Sequence, residues 1–326
     1  MQTAAFTTVF KPGIYRIAKK YLQLQRNRTY LIEVNWNGNN LLLNSGRKLS
    51  FQQYWDKCEN LQNVVSVDVE AKTGRLWILD KGTKKCYPKI VIYDLYTNII
   101  LHVSKLDSFA DEELSYLVVD QSVEFGTFCY VGQKSANKLI VFSLDSLIWS
   151  IIKFDSGPIR PERIVISRSD LKLFLTADKG DDVLALNLTD VRSIGGKRFF
   201  TDHTLDVAYV GKKLGPSTGI AVDIAGGLNY YLPRDHAVVR WDTRKPLMAE
   251  YHSVLLQSYD ILPYVSHLFS DPQNNIWALI NPSTPEGCND TMKSNTIYVT
   301  RVVQLSTFFK RSFNMKMFGS NFNKLF

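Results

Sequence analysis

Val64 to Asp80 reads VVSVDVEAKTGRLWILD. Val65, Val67 and Val69 alternate with Ser66, Asp68 and Glu70, the period of a strand with one buried face. Ala71 to Gly74 supply a polar turn, and Arg75 to Asp80 form a second strand centred on Trp77. The same two-strand unit recurs at Leu114 to Gly132, Pro161 to Asp178, Ser217 to Leu232 and Tyr264 to Asn281. Its central aromatics, Trp77, Tyr130, Phe174, Tyr230 and Trp277, are spaced by 53, 44, 56 and 47 residues.

A third strand follows each unit: Lys89 to Leu95, Lys138 to Asp145, Asp182 to Asp190, Ala237 to Thr243 and Thr296 to Val303. Repeats of roughly 50 residues with three or four strands have the spacing of propeller blades. One such sheet cannot bury both faces alone; stacking around an axis buries each against the next. Thr29 to Asn37 reads as the last strands of one more blade, begun by VFKPGIYRI. The expectation is an all-β, six-bladed β-propeller with an incomplete first blade, as one domain over residues 1–303. The best candidate helix is short, around Asp111 to Leu117.

Of 326 residues, 45% are hydrophobic, and the formal charge is +8. Residues 304–326 form a basic tail in which Lys310, Arg311, Lys316 and Lys324 interleave with phenylalanines, without an acid. A membrane- or nucleic-acid-binding tail is one reading. We prefer a terminus lying partly on the body, and expect no nucleic-acid partner. No apolar run reaches 18 residues, so no transmembrane segment is expected. The N-terminus does not read as a signal peptide. Sequons begin at Asn27, Asn187 and Asn289.

Local motifs for chemistry are missing. Ser217 in GPSTG has its glycines at the wrong spacing for a nucleophile elbow and reads as a loop entering a strand. The five histidines are scattered, the four cysteines lack CxxC spacing, and no Walker loop occurs. Asp68, Asp120, Asp178 and Asp223 sit near strand ends, where turn and capping roles are commonest. No catalytic residue, metal ligand or cofactor is assigned.

GRLWILDKG (Gly74 to Gly82), leading into CYPKIVIYDL (Cys86 to Leu95), resembles the signature of the Yellow/major royal jelly protein family. TGIAVDIAGGLNYYLPRDHAVVRWDT and NNIWALIN resemble later strings of that family, so the likeness spans Thr29 to Asn281. The family's cysteine before "GRLW" is Thr73 here, and the one in "GCWN" is Arg240. The resemblance implies a secreted protein; a truncated N-terminus would account for the missing leader. Cys86 with Cys129 is the first disulfide expectation, with Cys58–Cys86 as the alternative, since spacing does not fix pairing.

The resemblance further implies a non-enzymatic binder of a small ligand, such as a biogenic amine, in the central channel. A melanin-pathway isomerase or tautomerase is the alternative, and a calcium-dependent lactonase the second. An aromatic amine needs aromatic faces and an anionic or carbonyl partner. The ligand-binding candidates are Asn281, which matches the Asn ending "LWVLSN", and Thr176, Asp178, Tyr231, Tyr264 and Ser266, with His267 beside them.

Overall fold

The computed structural model describes residues 58–280, apart from short gaps at 71, 110–112, 135–136, 156–159, 196–201 and 272–273, together with strand 301–306 and the backbone of strands within 6–48. Blade I comprises β5 (Val64–Glu70), β6 (Arg75–Asp80), β7 (Lys89–Asp94) and β8 (Ile99–Lys105). Blade II comprises β9 (Leu114–Ser122), β10 (Gly126–Gln133), β11 (Lys138–Ser143) and β12 (Ile148–Phe154). Blade III comprises β13 (Arg163–Ser167), β14 (Lys172–Thr176), β15 (Asp182–Asn187) and β17 (Ala208–Lys212). Blade IV comprises β18 (Thr218–Val222), β19 (Gly227–Leu232), β20 (Ala237–Asp242) and β21 (His252–Gln257). Blade V comprises β22 (Val265–Ser270), β23 (Ile276–Ile280) and β24 (Arg301–Ser306).

Every blade is an antiparallel meander in chain order. The inner strands β5, β9, β13, β18 and β22 lie side by side around an axis. The protein is therefore all-β and a propeller. Residues with described side chains make five blades, where the sequence led us to expect six. A further antiparallel sheet is formed by β1 (Phe6–Lys11), β2 (Ile14–Gln23), β3 (Arg28–Val34) and β4 (Arg47–Lys48), and its β1 lies beside both β5 and β22.

Burial changes from axis to rim. The second strands are buried almost throughout because a neighbouring blade covers each face, whereas outer strand β8 is largely exposed. Period-2 alternation sends Trp77 and Leu79 against Leu117, Cys129 and Phe142 of blade II, while Leu76 and Ile78 pack with Val64 and Tyr93 on the other face. Trp77, Tyr130, Phe174, Tyr230 and Trp277, the repeated aromatics of the sequence, are all buried. Gly74 closes the β5–β6 hairpin at φ +70°, and a side chain there would run into the Tyr96 ring.

Several expectations need correction. Leu114 to Leu117 open strand β9; among the described residues before them is a short 3-10 turn, Asp107–Phe109, and residues 111–112 lie outside the described residues. The helix of the described residues is α1 (Leu188–Gly195), which cuts the expected third strand short at Asn187. Asn187 Oδ1 accepts the amide of Thr189 at 2.9 Å, and Leu188, Val191 and Ile194 bury against blade II. Strand β16 (Asp202–Leu205) then pairs in parallel with β12 before the chain returns to blade III as β17. Strand β24 carries Gln304 to Ser306, and the remainder of the expected tail lies outside the described residues.

Cys58 pairs with Cys86, not Cys86 with Cys129. Cys129 is a free thiol, buried between blades I and II among Trp77, Leu79 and Phe142. Cys86 stands instead in the β6–β7 loop, with its Cα 5.0 Å from that of Cys58. Beside the disulfide, buried Lys89 donates to the carbonyls of Cys58 (2.8 Å) and Asn60 (2.7 Å) and pairs with Asp80 at 3.1 Å. Asp80 in turn accepts the amides of Gln62, Asn63 and Gly82.

Candidate ligand site at the channel mouth

Inner strands begin where second strands end, so one face of the propeller gathers both sets of termini. At this mouth Arg163, the first residue of β13, holds Asp178 through two bonds of 2.6 and 2.9 Å. Asp178 also donates its backbone amide to Glu162 at 3.0 Å. Burial by itself would depress the Arg163 guanidinium; Asp178 overrides it and holds the group above its usual range. The guanidinium lies 5.3 Å from the Tyr116 ring centroid, and that ring is 6.1 Å from the His267 ring. Burial pushes the Tyr116 and Tyr264 phenols up, keeping both neutral hydrogen-bonding groups.

Lys213 closes the mouth between blades III and IV. Its Nζ donates to the Ala177 carbonyl at 3.3 Å and to Ser217 Oγ at 2.6 Å. Burial brings its amine down to about 8, against the pull of Asp178, Asp181 and Glu162.

On β5, at the seam with blade II, Asp68 accepts the amides of Val69 at 2.8 Å and Val119 at 2.7 Å. Burial raises its carboxyl to about 6, although both amides and Arg168 oppose the rise. Asp68 is close enough to Tyr116 for its charge to act on that phenol.

Of the residues singled out by sequence, Asp178 and Tyr264 come together electrostatically around Arg163. Tyr231 is fully buried, and its hydroxyl donates to the Leu262 carbonyl at 2.9 Å. Thr176 donates to the Asp182 carbonyl at 2.9 Å, and Ser266 to the Leu279 carbonyl at 3.3 Å, both from buried positions. These three brace the wall. Asn281 lies outside the described residues. Sequence reading missed Arg163, Tyr116 and Lys213, and gave Asp68 only a turn or capping role. One signal was present: a charged or polar residue at the start of, or alternating along, an inner strand faces the channel or a seam, since nothing else accommodates it.

These features define a β-propeller with a mixed aromatic and ionic channel mouth. Residues 62–156, which span blades I and II, match the family model described as major royal jelly protein. The Yellow/major royal jelly resemblance is thus shown over that stretch, which is narrower than Thr29 to Asn281. No curated protein matches the chain. Among solved structures, virginiamycin B lyase from Staphylococcus aureus is similar at 12% identity and a TM-score of 0.52, covering 93% of this chain and 84% of the lyase. The WD40 repeats of RRP9 are similar at 10% identity and a TM-score of 0.50, covering 91% of this chain and 79% of theirs. At such identity these likenesses speak to the propeller fold alone.

Proposed function

We propose that this chain is a Yellow/major royal jelly-type propeller that acts outside the cell and binds a small ligand in its channel without turning it over, a biogenic amine being the class to test first. It is supported best by the electrostatic reach of Asp68 to the Tyr116 phenol, whose ring lies 6.1 Å from that of His267. Asp178 is already held by Arg163, but the hydrogen bonds to Asp68 come from backbone amides. Ionised above about pH 6, Asp68 is the anion an ammonium would meet next to an aromatic face. The Cys58–Cys86 disulfide fits an oxidising compartment. We also take the sheet β1–β4 as the sixth blade, because β1 touches both β5 and β22.

Isothermal titration with serotonin, dopamine, noradrenaline and histamine tests the proposal. Saturable binding at micromolar affinity or tighter, on the order of −8 kcal/mol, is expected, and Asp68→Asn should weaken it. No heat with any amine, from protein shown to be folded, would overturn the amine reading.

The isomerase or tautomerase alternative draws on one observation: a carboxyl raised to about 6 is suited to proton transfer near neutral pH. Turnover of a dopachrome-type substrate, lost in Asp68→Asn, would favour it over binding alone. No trio of His, Cys, Asp or Glu side chains gathers among the described residues, so nothing in them supports the calcium-dependent lactonase.

A further inference from the structure

The link between β17 and β18 runs Lys213-Leu214-Gly215-Pro216-Ser217. It folds its two ends together: Lys213 Nζ and Ser217 Oγ are 2.6 Å apart, and each residue is only 4% exposed. Between them in the chain, Leu214 and Pro216 are exposed. We propose that Ser217 is an acyl-accepting nucleophile with Lys213 as its base, acting on short-chain carboxylic esters.

A serine hydroxyl is a weak nucleophile until a neighbouring base can take its proton, and a buried amine is such a base when uncharged. Among the described residues no carboxylate forms an ion pair with Lys213; Asp178, Asp181 and Glu162 act on it only at longer range, and Arg163 opposes them. Its second hydrogen bond, to the Ala177 carbonyl, fixes the amine while leaving a lone pair for Ser217 when the amine is neutral. With the amine near 8, the free base is the major form at mildly alkaline pH.

In the step itself, the Ser217 Oγ–H proton passes to Nζ as the new Oγ–C bond forms. The ester C–O bond then breaks, and the departing oxygen takes the proton from Nζ. The products are an acylated Ser217 and a free alcohol, with no other reactant consumed. Because Lys213 and Ser217 are each only 4% exposed, the donor is restricted to a small acyl group. The inference goes beyond reversible ligand binding and does not depend on it.

The test uses the full, oxidised chain with p-nitrophenyl acetate at about pH 8.5, following nitrophenolate release and locating acetyl groups by peptide mass spectrometry. Acetyl on Ser217 is expected, with a rate that rises with pH through about 8 and then levels. Ser217→Ala should lose it, and Lys213→Met should slow it by roughly a hundredfold while melting as the parent does. Ser217→Cys should still accept the acetyl group, as a thioester. Acetyl confined to surface lysines, or Ser217 acetylated equally fast in Lys213→Met, would overturn the proposal. Amine titration reads a different property, so the two proposals fail separately.

Discussion

The carboxylate of Asp68 reaches across the seam between two blades and accepts the backbone amide of Val119 at 2.7 Å. Ser66 accepts the amide of Leu117 at 3.0 Å, and Glu70 accepts the side-chain amide of Gln121 at 2.7 Å. Three alternate side chains of β5 thus hold three alternate positions of β9, each 51 residues on. Adjacent blades share no backbone ladder along this seam, so side chains carry the polar pairing that a continuous sheet would make with its backbone.

The middle contact makes stability depend on pH. Asp68 has a folded-state pKa of about 6, above its ordinary 3.8, so the native state keeps a proton that the unfolded chain has released. Its contribution is therefore full below about pH 4 and is lost as pH rises to about 6. Asp68→Asn should match the parent in urea denaturation at low pH and exceed it above pH 6, by at most about 3 kcal/mol. Parallel stability curves for the two proteins would show that Asp68 titrates normally.

Arg192 of α1 makes two hydrogen bonds, of 2.7 and 2.9 Å, to buried Asp120, which also accepts the Tyr130 hydroxyl at 2.9 Å. Arg192→Ala strands a buried carboxylate and should cost about 3–5 kcal/mol in chemical denaturation. The double variant Asp120→Asn with Arg192→Met should recover much of that loss. No recovery would mean that the pair is needed for more than charge balance.

Reduction separates the two kinds of cysteine. Opening Cys58–Cys86, a closure of 28 residues, should lower stability by about 3 kcal/mol. Cys129 should stay unlabelled by iodoacetamide in the folded protein, because burial raises its thiol pKa well above the usual value and closes off access. Peptide mapping should find it modified only after unfolding.

Gly74→Ala should cost about 1–2 kcal/mol, since a φ of +70° strains any residue with a side chain. The exposed Tyr96 ring can swing aside, so steric overlap adds little. A thermal melt of the folded variant measures the loss.

The hairpin units and their aromatics were legible because period-2 alternation and turn residues are local signals. Trp77 and Phe174 proved core for the reason the pattern implied. Helix α1 was not legible: eight residues provide about two turns, too few for an apolar stripe to stand out. The pairing of Cys86 depended on which loop stood beside it, and β16 on a neighbour far back in the chain. The mouth was legible only in part. Asp178 and Tyr264 sit at strand ends, where propeller loops converge, but their partners Arg163 and Tyr116 come from other strands or another blade. No spacing rule links such residues.

Strand β16 bears on how the molecule comes apart. Between its third and fourth strands, blade III lends four residues to the rim of blade II. Neither can open without unzipping that borrowed edge, so the pair should exchange its amide hydrogens as one cooperative unit, to which blade IV is joined through a backbone bridge between Gly211 and Leu247.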